Sequence, residues 1–255
     1  MSAPSNEPLT PTLSRHSSPD GERSLASAGR GSSSRGHFIT FEGGEGSGKS
    51  THAATLAQRL KSLGIDVVLT REPGGSTGAE IIRHIILSGI AKPLGAETET
   101  ILFAAARDDH VRTTIRPALT DGKWVICDRF IDSTRVYQGI LGKVDGKLIR
   151  SLERVTVGAD MPELTFILDV PAAVGLARAS TRRGTGAADR FESESVEYHE
   201  RLRQAFLALA KLEPKRCVVI DGRAPRDVVA ERIWTAVSER LLAGQEMRAA
   251  EPAAP

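Results

Sequence analysis

The run GGEGSGKS, Gly43 to Ser50, sets glycines ahead of a lysine and a hydroxyl at the G-x-x-x-x-G-K-[ST] spacing. Gly43, Gly46 and Gly48 allow successive backbone N–H groups to turn toward phosphate oxygens. Lys49 has the charge and reach for β- and γ-phosphates, and the Ser50 hydroxyl suits Mg²⁺. Gly43, Gly44, Glu45, Gly46, Ser47, Gly48, Lys49, Ser50 and Thr51 therefore form a candidate ATP- or GTP-binding loop. One residue conflicts with that chemistry. Glu45 puts a carboxylate inside an anion cradle.

Two further stretches could act on phosphate. WVICDRF ends an apolar run in Asp128-Arg129. An acid at the C-terminal edge of a strand, beside a phosphate loop, is placed to hold Mg²⁺ or its waters. Arg129 offers a planar fork to a phosphate. TREPGG (70–75) puts Arg71 ahead of a turn forced by Pro73, Gly74 and Gly75. By spacing, Asp128-Arg129 also suits a strand-end capping pair, and TREPGG also suits a plain strand-to-helix connection.

These residues need a scaffold, and the chain supplies an alternating one. HFITFE (37–42), DVVLTR (66–71), WVICDR (124–129), LTFILDV (164–170) and CVVIDG (217–222) are short, continuous apolar runs, the pattern of strands buried on both faces. Helical patterns fill the gaps at 49–63, 79–88, 98–120, 133–139, 145–157, 172–181, 195–212 and 225–243. The expectation is an α/β chain of the P-loop NTPase fold, with a five-stranded parallel sheet flanked by helices on both faces. No internal repeat is visible.

Composition bounds the rest. With 255 residues and 40% apolar content the chain reads as one packed domain, residues 36–244. A formal charge of +2 makes no electrostatic case for nucleic acid or a membrane surface, and no apolar run approaches a membrane span. Residues 1–35 hold ten Ser, four Pro and three Gly, and read as a disordered extension. Their four Arg are diluted by Glu7, Asp20 and Glu22, so a targeting peptide is a poorer match than a passive tail or an upstream start codon. Residues 245–255 read as a flexible tail. Cys127 and Cys217, both in apolar runs, fit small buried side chains in a reducing compartment, hence a cytoplasmic setting. His52, His84, His110 and His199 lie in helical patterns without convincing metal spacing.

FEGGEGSGKS, TREPGG, LFAAAR, DRFIDSTRVYQG, LDV and RRG…DRFE follow one another in an order and spacing that resemble the bacterial thymidylate kinases, over about residues 37–240. The phosphate loop is shared by many families, whereas TREPGG with DRF…STxxYQG is far more specific. The resemblance implies a cytoplasmic enzyme, commonly a homodimer, that moves the γ-phosphoryl of ATP to dTMP with Mg²⁺. It implies Lys49, Ser50 and Asp128 on the donor and metal side, and Arg71 and Arg129 at the dTMP phosphate. Phe103 and Arg107, four apart on one helix face, would stack on thymine and donate to a base carbonyl. Thr134 and Gln138 would meet the polar edge of the base, and Tyr137 would lie against the sugar, disfavouring a ribose 2′-hydroxyl. Some members carry Asn or Ser where Thr134 stands.

RASTRRGTGAADRFE (178–192) would be a lid. The resemblance puts Arg183 in the catalytic role, supported by Arg178 and Arg190; one extra residue precedes it, which leaves Arg182 as the alternative. Some members carry the catalytic arginine in the phosphate loop. Here that position is Gly46, which matches the lid-arginine type. For Glu45 the resemblance implies a partner at the deoxyribose 3′-hydroxyl, the alternative being a pair with a nearby arginine. Two other classes compete. A deoxynucleoside kinase needs a base for a sugar hydroxyl and leaves TREPGG unexplained. A GTP-binding switch lacks its N-K-x-D signature.

Overall fold

The structure is a computed structural model that describes residues 35–183, 191 and 193–243, without the side chain of Arg183. The expected extensions at 1–35 and 245–255 therefore lie outside the described residues, save Arg35. Strands β1 (Phe38–Glu42), β2 (Val67–Arg71), β3 (Trp124–Asp128), β4 (Leu164–Asp169) and β5 (Cys217–Asp221) form one sheet in the order β2-β3-β1-β4-β5. Every pairing is parallel. Each strand starts or stops within a residue of the apolar run that predicted it.

Helices α1 (Lys49–Ser62) and α2 (Thr77–Leu87) follow β1 and β2. The expected 98–120 helix starts earlier, as α3 (Gly95–His110), and continues through a π-turn (Val111–Ile115) into α4 (Arg116–Thr120). Pro117 lacks the N–H that an unbroken α-helix needs at that point, which accounts for the local widening. After β3 come α5 (Ile131–Thr134), a π-turn (Arg135–Leu141) and α6 (Gly146–Thr156). Helix α7 (Ala172–Arg183) follows β4, then α8 (Val196–Leu212) and, after β5, α9 (Arg226–Val237); most of the expected lid, 178–192, lies outside the described residues.

Strand alternation sorts the core to the two faces of the sheet. Ile39, Phe41, Trp124, Ile126, Phe166 and Leu168 pack with Leu56 and Leu60 of α1 and Val229 and Ile233 of α9. Phe38, Val125 and Cys127 pack on the other face with Val111, Ile115 and Leu119. Ile167 meets Leu202, Phe206 and Leu209 of α8. Burial of these large side chains, about 1.5–3 kcal/mol each, fixes the sheet whose strand ends carry the chemistry. Both cysteines are buried and unpaired.

Candidate active site

The C-terminal ends of β1, β2 and β3 border a cleft of about 1050 Å³, open to solvent, at the edge where open parallel sheets bind ligands. It is lined by Glu45, Gly46, Gly48, Lys49, Ser50, Arg71, Phe103, Arg107, Asp128, Arg129, Thr134, Tyr137, Gln138 and Arg182. Residues far apart in the sequence thus line one cleft. Glu72, Phe130, Ser133 and Phe191 join them.

The side of the cleft formed by the phosphate loop is a backbone structure. Gly48, at φ 96°, turns the loop into α1, so the first N–H groups of that helix face the cradle. Lys49 Nζ donates to the Gly44 carbonyl at 2.7 Å and lies 3.5 Å from Ser47 Oγ. Burial and Arg129 pull its ammonium down to about 8, with Glu45 and Asp128 opposing. Ser50 Oγ donates to Asp128 Oδ2. Asp128 Oδ1 is buried without a hydrogen-bond partner among the described residues. A hydroxyl beside an orphaned carboxylate oxygen suits a hard cation that completes its shell with phosphate oxygens and water. Among the described residues no group of three or more His, Cys, Asp and Glu stands together as a metal cage.

Gly46, at φ 65°, touches the backbone of Gly175 in α7; a Cβ on either would overlap the other strand of chain. An arginine at position 46 therefore requires α7 to move. Of the arginines expected in a lid, Arg182 lines the cleft, and Arg178 Nη1 donates to the Gly222 carbonyl at 3.0 Å. The Arg183 side chain and all of Arg190 lie outside the described residues. Thr51 is exposed in the first turn of α1.

The opposite side of the cleft is built from side chains. Arg129 adopts φ 68°, a conformation rare for a residue with a Cβ, and the surroundings hold it there. Its N–H donates to the Phe41 carbonyl at 2.9 Å, and its own carbonyl accepts from the Cys127 thiol at 3.0 Å. Glu42, buried at the end of β1, accepts from Phe130 N at 2.8 Å and Ser133 N at 3.1 Å, and from Ser133 Oγ at 2.7 Å. It thereby caps α5 and closes the turn that carries Arg129. Burial, then Asp132, push the Glu42 carboxyl up to about 7 against the Ser133 hydrogen bond and Arg129.

The Arg129 guanidinium pairs with Glu45 and donates to the Gly43 carbonyl at 3.2 Å. Tyr137 Oη donates to Glu45 Oε1 at 3.3 Å. Burial would raise the Glu45 carboxyl, but Arg129 and then Lys49 outweigh it and hold it at about 2. The acid in the phosphate loop is thus paired with Arg129, and this pairing leaves both sequence readings of Glu45 open. Burial raises the Tyr137 phenol, and its ring meets Phe191 edge-on at 5.3 Å. Arg71 sits at the exposed rim, with Nη2 2.9 Å from Glu80 Oε1. Such an exposed pair is held weakly and is easily exchanged for a phosphate.

Phe103 and Arg107 enter the cleft from α3, and Thr134 and Gln138 from the segment after β3. Arg107 is buried; its Nε donates to Glu72 Oε2 at 2.8 Å and its Nη2 to Phe130 O at 3.2 Å and Thr134 Oγ1 at 3.0 Å. Thr134 therefore meets Arg107 in this structure. Below them Asp132, fully buried, takes a fork from Arg216 at 2.7 and 2.8 Å and tethers the segment to β5. Sequence reasoning passed over Glu42, Glu72, Glu99 and Asp132. Their signal was a carboxylate inside, or right beside, an otherwise apolar or site-bearing run, a pattern that calls for a buried donor.

A phosphate loop after the first strand of a β2-β3-β1-β4-β5 parallel sheet, opening into a cleft lined beyond it by side chains, is the arrangement of a P-loop phosphotransferase. The family model described as "Thymidylate kinase" matches residues 41–233. The thymidylate kinase of Nitrobacter winogradskyi is 60% identical over 210 residues, covering 82% of this chain and 91% of that protein. That of Bradyrhizobium sp. strain BTAi1 is 62% identical over 207 residues, covering 81% and 92%. The crystal structure of thymidylate kinase from Ehrlichia chaffeensis matches with a TM-score of 0.65 at 34% identity, covering 80% of this chain and 99% of that one. The chain belongs to the thymidylate kinase family.

Proposed function

We propose that this enzyme transfers the γ-phosphoryl of ATP to the 5′-phosphate of dTMP, releasing ADP and dTDP. One observation carries the reading: a nucleotide cradle and a pocket presenting an aromatic ring, an arginine and a glutamine open into one cleft. Lys49 and the loop amides bind the donor's phosphates, and Arg129 and Arg71 receive the acceptor's phosphate, Arg71 by exchange with Glu80. An acceptor oxygen that is already ionised attacks the γ-phosphorus as the β–γ bridging oxygen leaves, so no general base is required. What remains is positioning and charge neutralisation. Ser50 and Asp128 would hold Mg²⁺, which when bound supplies charge to the transferring group. The lid arginines exclude water and neutralise the group in flight. Phe103 stacks on the base, Arg107 and Gln138 read its edge, and Tyr137 disfavours a 2′-hydroxyl. Glu45, ionised and shared between Arg129 and Tyr137, has an accepting oxygen for the sugar 3′-hydroxyl. We assign a homodimer on family grounds; sedimentation velocity tests it.

A coupled ADP-release assay comparing dTMP, dUMP, UMP, CMP and thymidine tests the reaction. dTMP is expected to give the highest kcat/KM. Activity confined to thymidine, or none with dTMP, overturns the reading.

A further inference from the structure

We propose that two buried carboxylates behind the pocket, Glu72 and Glu99, are positioning residues that set its hydrogen-bond polarity. Through Arg107 and Gln138 they select a pyrimidine that accepts at its 4-position and donates at N3, and reject one with the reverse pattern. The proposal rests on the dTMP reading above.

Arg107 has more than one way to use its five donors, and Glu72 removes the choice. Glu72 Oε2 lies 2.8 Å from both Nε and Nη2 of Arg107, a buried pair at 4% and 3% exposure. Phe130 O and Thr134 Oγ1 accept from Nη2, so among the described residues Nη1 is the guanidinium nitrogen left without an acceptor. Glu72 is held in turn. Its Oε1 accepts from His110 Nδ1 at 3.1 Å, and His110 Nε2 lies 2.8 Å from Thr70 Oγ1. A Cβ at Gly75 would overlap both Thr70 Oγ1 and His110 Nε2, so the second glycine of TREPGG leaves room for this relay. The result is a fixed donor at one edge of the pocket.

Glu99 does the converse. Gln138 Nε2 donates to Glu99 Oε1 at 3.0 Å, with both residues buried. A carboxylate accepts and does not donate, so it dictates which end of the amide faces it. The amide oxygen of Gln138 is left to accept. A fixed donor and a fixed acceptor match a 4-carbonyl and an N3–H. A 4-amino pyrimidine presents a donor to the donor and an acceptor to the acceptor, and leaves both buried groups unpaired.

The test measures kcat and KM for dTMP and ATP, with dTMP and dCMP affinities by calorimetry, in the wild type and in Glu99→Gln and Glu72→Gln. Glu99→Gln can donate, so the Gln138 amide is free to turn over. It is expected to raise the dTMP KM about tenfold and to narrow the dTMP-over-dCMP affinity ratio by a similar factor. Glu72→Gln is expected to do the same through Arg107, with the ATP KM within about twofold of wild type in both. If Glu72→Gln melts too low to assay, His110→Phe takes its place. Losing the donor to Glu72, it should raise the dTMP KM about threefold, and His110→Asn, which keeps an N–H near Nδ1, should restore it. A folded Glu99→Gln enzyme with an unchanged dTMP-to-dCMP ratio overturns the proposal, as does an equal loss toward ATP and dTMP. A wild-type enzyme that neither binds nor phosphorylates dTMP overturns the functional reading itself, before any variant is compared.

Discussion

The two halves of the cleft are built from different materials. The donor half is backbone: a loop whose glycines aim N–H groups at phosphates, a lysine resting on the Gly44 carbonyl, and α7 set against the loop glycine to glycine. The acceptor half is side chains fixed by buried acids, with Glu42 behind Arg129, Glu72 behind Arg107 and Glu99 behind Gln138. The difference follows the ligands. Triphosphates are alike on every nucleoside, and amides that point at oxygen suffice for them. A base must be told from other bases, and that needs groups whose donor and acceptor ends cannot interchange.

The division makes the two halves separable by mutation. Lys49→Ala removes the side chain that reaches the donor phosphates and should lower kcat by roughly 10³-fold, measured by ADP release, with dTMP affinity retained. Arg183→Ala should cost about 10²-fold in kcat; a loss under about fivefold moves the role to Arg182, which lines the cleft. Gly175→Ala pushes a Cβ into the Glu45 carbonyl and forces α7 off the loop. An overpacking cost of about 1.4 kcal/mol there predicts a tenfold lower kcat/KM for ATP, a larger loss than the dTMP Kd from calorimetry shows. An equal loss toward both substrates would erase the distinction between the halves.

The smallest effect is on stability. The Glu42 carboxyl is raised to about 7 by burial and Asp132. The folded chain therefore keeps a proton that the unfolded chain, with an ordinary carboxyl near 4.5, has already lost. That contribution is full below about pH 4.5 and disappears as pH rises through about 7. Glu42→Gln, neutral throughout, should flatten this part of the Tm-against-pH curve. An identical slope in the variant assigns the pH dependence elsewhere.

Much of this was legible in the chain itself. The strands came from continuous apolar runs, and the donor loop from contiguous residues whose spacing is the geometry: Gly43 to Ser50 form one turn and the start of one helix. Phe103 and Arg107 were readable because four residues place them on one helical face. Glu45 was legible as an anomaly, and its two readings were both in view. Its pairing with Arg129, 84 positions away, was fixed by the β1–β3 register that sets Phe41 opposite Asp128. For Glu42, Glu72 and Glu99 a linear reading does not say which group each would meet. Each became a buried strut because its partner lies on a neighbouring element, 88 and 91 residues away for Glu42, 35 for Glu72 and 39 for Glu99.

The sequence by itself therefore determined the sheet, the phosphate loop and the identities of the cleft-lining side chains proposed to face a base. Those depend on local periodicity and on contacts within a few residues, which the order of residues encodes directly. The tertiary structure decided which oxygen and nitrogen atoms each of those side chains offers. That choice is made by buried carboxylates brought from other strands and helices, and a hydrogen bond's direction is set by whatever stands behind the group that makes it.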